Sequence, residues 1–318
     1  MLEAVSRAAL ASNEIDMAVL KLRRMMDVAR ESPRDLTRIA ELQQRAGDNN
    51  GAYDSLSRAV FVDPTYLPAQ AGITRLEAGI GEIDKALARA NDIRTMHPEL
   101  ATGDLLAGDV LMRAKRPAEA VVAYERGLQK QEDGVLVLRL YLARRDANPG
   151  EPPLGLLKDW LDRHPDDNVI KRTLAGEYAR LDRIDEAVKL NEELLALQPN
   201  DPVVLNNLAW LYQKTGNPNA LAYAERAYAL APDQANAIDT LGWILVQRGD
   251  VDRGLKLLRD AQARAADNPN INYHLAVALS KLGRTAEAKA KLQAVLNSGR
   301  GGTVADDARA LLEQLSDG

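Results

Sequence analysis

The residue types that catalyse reactions or bind metals are sparse in this sequence. The chain of 318 residues contains three histidines and no cysteine, which excludes disulfides, thiolate metal sites and cysteine nucleophiles. His97 and His164 each precede a proline, and this shared context indicates a structural role. His274 has no second histidine or carboxylate at metal-ligand spacing along the chain. We therefore expect a non-enzymatic protein with no catalytic residue, no metal and no cofactor.

The charged residues are interspersed and do not form a binding surface for nucleic acid. They make up 27% of the chain, with a net charge of −5, and no basic stripe stands out. The acidic pairs Asp166-Asp167 and Asp306-Asp307 fall at predicted helix starts, where carboxylates suit the helix dipole. No segment approaches the run of about 18 apolar residues that a membrane helix needs. We expect neither a nucleic-acid partner nor a transmembrane segment.

Prolines recur at a nearly constant interval, which indicates internal repetition. Their separations are 31, 34, 67, 34 and 33 residues, the longest being two periods with one proline absent: Pro33, Pro64, Pro98, Pro165, Pro199 and Pro232. A proline there ends one helix and permits the next to begin. Glycines lie between these prolines at Gly47, Gly81, Gly216, Gly249 and Gly283. Because glycine accepts the left-handed conformation that ends a helix, each repeat is predicted as helix A, tight turn, helix B and proline.

Apolar residues within the repeats are spaced as on one face of a helix. Residues 205–212 carry them at i, i+3, i+4 and i+7. The small residues Ala209, Gly242 and Ala276 occupy the same place in three successive repeats. A large side chain there would push helix A away from helix B, so we expect close helix packing at these positions.

A repeat of about 34 residues with Leu-Ala or Leu-Gly in helix A, a central glycine and a closing proline resembles the tetratricopeptide repeat. The resemblance covers nearly the whole chain and implies an all-α fold, a right-handed α-solenoid of about eight to nine repeats. We expect this solenoid over 1–300, beginning with a partial repeat at 1–30 and followed by a capping helix and tail at 301–318. Full repeats are predicted at 31–64, 65–98, 99–132, 133–165, 166–199, 200–232, 233–266 and 267–298. In repeat 133–165 the segment 148–153 replaces the turn, and we interpret it as a rigid turn, with a hinge as the alternative.

The resemblance also implies where a partner would bind. Members of this family commonly hold ligands in a concave groove, touching positions 2, 5, 9, 12 and 13 of helix A. In repeats five to eight these positions supply the candidate groove residues Arg172, Arg180, Asn206, Trp210, Gln213, Lys214, Asn236, Asp239, Trp243, Gln247, Tyr273 and Lys281. The implied partner is a protein or peptide, with a polysaccharide as the alternative. The dicarboxylate-clamp pattern of some members is not reproduced.

Two of the three tryptophans occupy the same groove position in successive repeats. Trp210 and Trp243 are 33 residues apart, and tryptophan is enriched in binding hot spots. Asn206, Asp239 and Tyr273 are also predicted groove residues and flank these tryptophans. Together with them, Trp210 and Trp243 could hold an extended peptide or a sugar chain. The alternative is that both indoles pack between adjacent helices and serve stability alone.

Two segments suggest a narrower relationship. Residues 205–211, Leu-Asn-Asn-Leu-Ala-Trp-Leu, and residues 237–245, Ala-Ile-Asp-Thr-Leu-Gly-Trp-Ile-Leu, resemble the end of the large repeat lipoprotein of the bacterial PEP-CTERM/exosortase system. The resemblance implies an envelope-associated or periplasmic scaffold in exopolysaccharide or protein-sorting assembly. The start at Met1 indicates a fragment, whose parent could carry a signal or lipid anchor. The alternatives are a cytoplasmic peptide-binding adaptor and the non-catalytic repeat region of a larger enzyme such as a glycosyltransferase.

Overall fold

The computed structural model describes residues 7–9, 11–12, 14–28, 32–299 and 302–317. Over these residues the chain forms α-helices joined by short turns and contains no β-strand. The all-α class is therefore confirmed. The helices group into two compact units, a first unit of Met1–Pro165 and a second unit of Asp166–Gly318. The predicted partial repeat at 1–30 lies partly outside the described residues.

Each unit is a series of antiparallel helix pairs. The described helices of the first unit are α1 (Ile15–Val28), α2 (Pro33–Arg45), α3 (Asn49–Val62), α4 (Leu67–Gly79), α5 (Ile83–Met96), α6 (Thr102–Arg113), α7 (Pro117–Lys130), α8 (Gly134–Ala147) and α9 (Leu154–Arg163). Those of the second unit are α10 (Asn168–Arg180), α11 (Ile184–Leu197), α12 (Pro202–Thr215), α13 (Ala220–Leu230), α14 (Ala235–Gln247), α15 (Val251–Arg264), α16 (Pro269–Lys281), α17 (Thr285–Asn297) and α18 (Thr303–Asp317). Two helices thus fall within each predicted full repeat.

The order of packing brings helix A of one repeat against helix A of the next. In the second unit α12 packs against α14, α14 against α16, and α16 against the terminal α18, while each helix also contacts its neighbours in sequence. The buried core between them is largely leucine and alanine, which are strong helix formers. Because of this packing, the helix A faces of α12, α14 and α16 form one continuous surface.

Asp167 opens α10 by accepting hydrogen bonds from the backbone N–H groups of Val169 and Ile170, which satisfies donors that have no partner inside the helix.

The turns inside seven of the eight predicted full repeats contain a residue in the left-handed conformation, and the exception is segment 148–153 in repeat 133–165. All five predicted turn glycines have positive φ, between 70° and 93°. In repeats 99–132 and 166–199, which lack a glycine at this place, Lys115 and Asp182 adopt φ of 58° and 57°. The turn geometry is therefore kept even where the residue type disfavours it.

The small residue predicted for close helix packing in repeat 233–266 is confirmed. A Cβ on Gly242 of α14 would lie 3.0 Å from Leu258 Cγ and 3.1 Å from the carbonyl oxygen of Gly254 on α15. Gly254 approaches in the same way, since a Cβ there would lie 2.7 Å from the Gly242 carbonyl oxygen. The two backbones therefore meet at a pair of facing glycines. The repeat pattern predicts the close approach at Gly242 but does not indicate Gly254.

Candidate partner-binding groove

A groove of about 620 Å³ opens on the helix A surface of the second unit. Its walls come mainly from α12, α14 and α16, with contributions from α10, α11 and α18. Seven of the predicted groove residues line it, namely Asn206, Trp210, Lys214, Asn236, Asp239, Trp243 and Tyr273. At the α10 end the wall is made of small residues, and a Cβ on Gly176 would meet no atom within 4 Å. That end of the groove is therefore wide.

Two predicted groove arginines lie outside this groove because ion pairs direct them elsewhere. Arg172 donates to the Asp201 carboxylate at 2.9 Å, and Asp201 also caps α12 by accepting the Val203 and Val204 backbone N–H groups. Arg180 is exposed and pairs with Glu177 at 2.7 Å. The Arg172 pair joins α10 to the start of α12 and the Arg180 pair lies within α10, and neither arginine lines the groove.

Three predicted residues near the ends of helix A are also absent from the groove lining. Gln213 is half-buried, and Gln247 is the exposed last residue of α14. Lys281 turns back and donates to the Val246 carbonyl oxygen at 3.4 Å. Of the residues at position 13, only Lys214 reaches the groove. The helix A positions taken from the family therefore predict the residues at the centre of the groove better than those near the C-terminal ends of the helices.

Trp210 is half-buried and covered on one face by its own helix. The Lys214 ammonium lies 4.8 Å from the centroid of the indole, within the range of a cation–π contact. The same ammonium pairs with Asp182 at 2.7 Å, and both partners of this ion pair are exposed. The cover over Trp210 is therefore a flexible side chain held by a solvent-exposed contact.

Trp243 is also half-buried, but its neighbours are rigid rings. The imidazole of His274 stacks on its indole with centroids 4.2 Å apart and an interplanar angle of 17°. Tyr273 approaches the same indole at 6.3 Å. His274 Nδ1 lies 2.9 Å from an Asp239 carboxylate oxygen. Spacing along the chain does not predict this contact, because Asp239 is 35 residues away, in the preceding repeat.

The charge near the α18 side of the groove is negative. Burial and then the Asp307 carboxylate raise the pKa of Tyr273, so this hydroxyl stays protonated and available as a donor.

Among the described residues, no group of three or more histidine, aspartate or glutamate side chains could hold a metal ion. The groove offers hydrogen bonds, aromatic faces and isolated charges, which is the chemistry of a binding surface.

Asparagine amides supply most of the remaining polar lining. Asn206, Asn236 and Asn270 stand on α12, α14 and α16, the three successive A helices. Asn206 Oδ1 is buried and has no hydrogen-bond partner within the described part of the chain. Because an amide both donates and accepts, the exposed Asn236 and Asn270 could pair with the N–H and C=O groups of a peptide.

The first unit carries a smaller concavity of about 380 Å³. It is lined by polar residues around Tyr53 and Glu77, but Glu77 is buried in an ion pair with Arg89 at 2.9 Å. The hydrogen bond to Glu77 raises the pKa of Arg89. Since its central carboxylate is already paired, this concavity offers less to a partner than the groove does. Over the described part of the chain, none of the helices combines the length and the apolar composition of a membrane span.

Comparison with solved structures supports the helical repeat fold. A chain from the crystal structure of the APC/C hetero-tetramer Cut9–Hcn1 aligns over 94% of this chain and 63% of its own length, with a TM-score of 0.59. Its sequence identity is 16%, so the likeness concerns the fold alone. The predicted solenoid class is thereby confirmed.

Sequence comparison agrees with the fold. A TPR repeat-containing protein of Pseudomonas aeruginosa is 29% identical over 206 residues, which are 63% of this chain and 34% of that protein. The match thus spans about a third of the length of this curated relative. Two family models, both described as tetratricopeptide repeat, match residues 74–134 and 173–303. Those two stretches of the chain are similar to the tetratricopeptide repeat family.

Proposed function

We propose that this chain is a protein-interaction scaffold that holds an extended peptide segment of a partner protein in the groove of its second unit. The observation that carries the proposal is the pair of half-exposed tryptophans, Trp210 and Trp243, at one position of successive A helices. Tryptophan buries a large area on binding and is enriched in hot spots. Two such side chains along one groove suit a ligand that runs across several repeats.

The polar lining supports an extended peptide as the ligand. Every residue of an extended chain presents a backbone donor and acceptor, and the exposed amides of Asn236 and Asn270 can serve both. Lys214 on α12 and Asp307 on α18 add opposite charges at helices separated by α14 and α16. This arrangement favours a peptide with charged side chains over an uncharged sugar chain, which we keep as the competing ligand.

We place this scaffold in the bacterial envelope, in exopolysaccharide or protein-sorting assembly, with a cytoplasmic adaptor and the repeat region of a larger enzyme as competing roles. The support is the likeness of residues 205–211 and 237–245 to the repeat lipoprotein described above. Cell fractionation of the natural protein, followed by protease protection in spheroplasts, tests the location. Recovery in the cytoplasmic fraction would count against the envelope role while leaving the groove proposal intact.

The groove is tested by selecting binders from a phage-displayed library of short peptides against the wild-type chain. Affinity for a selected peptide is then measured by fluorescence anisotropy with Trp210→Ala and Trp243→Ala. Each replacement should weaken binding by about 2 kcal/mol or more, which is about thirtyfold. A glycan array probed with the same protein tests the sugar alternative.

Trp160→Ala is the matched control, because Trp160 is 5% exposed and lies in the first unit. Truncating it should cost about 3–5 kcal/mol of stability with no loss of peptide affinity, whereas the groove variants should lose affinity and much less stability. If Trp210→Ala and Trp243→Ala instead resemble Trp160→Ala in both measurements, the two indoles are core residues and the groove assignment is wrong. Enrichment of glycans with no peptide would favour the polysaccharide ligand.

A further inference from the structure

Side chains from two neighbouring repeats meet around the indole of Trp243. Asp239 and Trp243 stand one turn apart on α14, and His274 reaches them from α16. His274 Nδ1 lies 2.9 and 3.0 Å from the two Asp239 carboxylate oxygens, while its ring stacks on the indole. We call these three residues the Asp–His–Trp cluster. It links two repeats within the groove lining.

The geometry of the cluster restrains each ring in turn. A carboxylate only accepts hydrogen bonds, so Nδ1 donates to Asp239 and the imidazole cannot rotate without losing that bond. The side chains of His274 and Asp239 are 13% and 11% exposed, and water therefore competes little for the contact. The restrained imidazole then lies flat against Trp243, which limits the rotation of the indole.

The other groove tryptophan lacks such restraint. Trp210 is covered by Lys214, a flexible chain whose charge is held by the exposed Asp182. Exposed ion pairs contribute little and exchange readily with water. The two tryptophans of the groove therefore differ in their support, although they occupy the same position of the repeat.

We propose that Asp239 and His274 are positioning residues that hold Trp243 in one orientation, so that the partner peptide meets a preformed aromatic surface. This inference rests on the proposed function of the groove. A side chain that is ordered before binding loses less conformational freedom on binding. From the usual contribution of stacked ring pairs, removing the support should weaken peptide affinity about two- to tenfold.

The orientation of Trp243 can be measured without any ligand. In protein labelled with 5-fluorotryptophan, the three tryptophans give fluorine resonances that Trp→Phe variants identify. His274→Ala should shift and broaden the Trp243 resonance and leave that of Trp160 unchanged. His274→Phe, which keeps a flat ring against the indole but cannot donate to Asp239, should restore only part of the wild-type signal. Asp239→Asn, which keeps an acceptor for Nδ1, should perturb it less than Asp239→Ala.

Peptide affinity is then compared across the same variants with the labelled library peptide described above. His274→Ala should lose about two- to tenfold in affinity, and His274→Phe should recover part of this loss. His164→Ala is the matched control, because His164 stacks on Trp160 at 3.9 Å in the first unit. It loses the same kind of ring contact, so its stability should fall while its peptide affinity stays at the wild-type value.

An unchanged Trp243 resonance in His274→Ala would overturn the inference. So would a wild-type affinity in that variant, or an affinity loss that His274→Phe does not rescue even in part. If no selected peptide depends on Trp210 or Trp243, the proposed function fails. The fluorine spectra then decide by themselves whether Asp239 and His274 hold the indole.

Discussion

The facing glycines of α14 and α15 lead to a prediction in which one substitution has opposite effects at two places. A Cβ on Gly254 would lie 2.5 Å from Val246 Cγ2 and 2.7 Å from the Gly242 carbonyl oxygen. Val246 has a stiff β-branched side chain, and the carbonyl oxygen belongs to a helix backbone, so neither atom can move alone. Gly254→Ala must therefore push α14 and α15 apart.

The size of the effect follows from these distances. Restoring ordinary contacts near 3.4 Å requires a separation of roughly 0.7–0.9 Å, and a gap of that order forfeits a quarter or more of the attraction between the packed surfaces. A buried leucine such as Leu258 makes about 40–60 contacts of about 0.1–0.2 kcal/mol, so this residue alone would lose about 1–3 kcal/mol. Alanine regains about 1 kcal/mol as a better helix former than glycine. With the further losses at Val246 and its neighbours, we expect a net destabilisation of about 1–3 kcal/mol.

Gly176→Ala is the matched control in the same unit. Its Cβ would meet no atom within 4 Å, so only the helix propensity changes and stability should rise by about 0.5–1 kcal/mol. Urea denaturation followed by tryptophan fluorescence measures both variants, since Trp210 and Trp243 report on the second unit. Equal stabilisation by the two alanines would refute the close approach of α14 and α15.

Two further predictions concern the turns and the caps. Lys115→Gly should raise the free energy of unfolding by about 0.5–1 kcal/mol. Lys115 has φ of 58°, and glycine adopts this left-handed backbone conformation without the steric cost that a Cβ causes. A thermal midpoint at or below the wild-type value would contradict this prediction. Burial alone would raise the pKa of Asp201, but the backbone N–H of Val204, the Arg172 guanidinium and the backbone N–H of Val203 together lower it below its ordinary value of 3.8. A lowered carboxyl pKa stabilises the folded chain above that ordinary value, and this contribution disappears as the pH falls through the folded-state value. Asp201→Asn keeps a capping acceptor but removes the charge, so its free energy of unfolding should fall by up to about 1 kcal/mol near neutral pH and should not change in acid. Urea denaturation at several pH values measures this difference. If the difference between the variant and the wild type does not depend on pH, its origin is not ionic.

The sequence by itself determined the repeat, the helix pairs and the register of the two groove tryptophans. These features depend on local rules: proline and glycine end helices, and apolar residues at helical spacing define the buried face. Because the period is close to constant, Trp210 and Trp243 had to fall on equivalent faces of successive helices. Their partial exposure in one groove agrees with that register.

Only the tertiary structure decided which side chains meet across repeats. His274 and Asp239 are 35 residues apart, and their contact depends on how α16 packs against α14, for which no local pattern exists. The same packing directs Arg172 to Asp201 and away from the groove. At Lys115 and Asp182 the stacked helices impose a left-handed turn on residues that disfavour it. In each case many weak contacts between helices outweigh the preference of a single residue, and such sums over distant partners cannot be read from spacing along the chain.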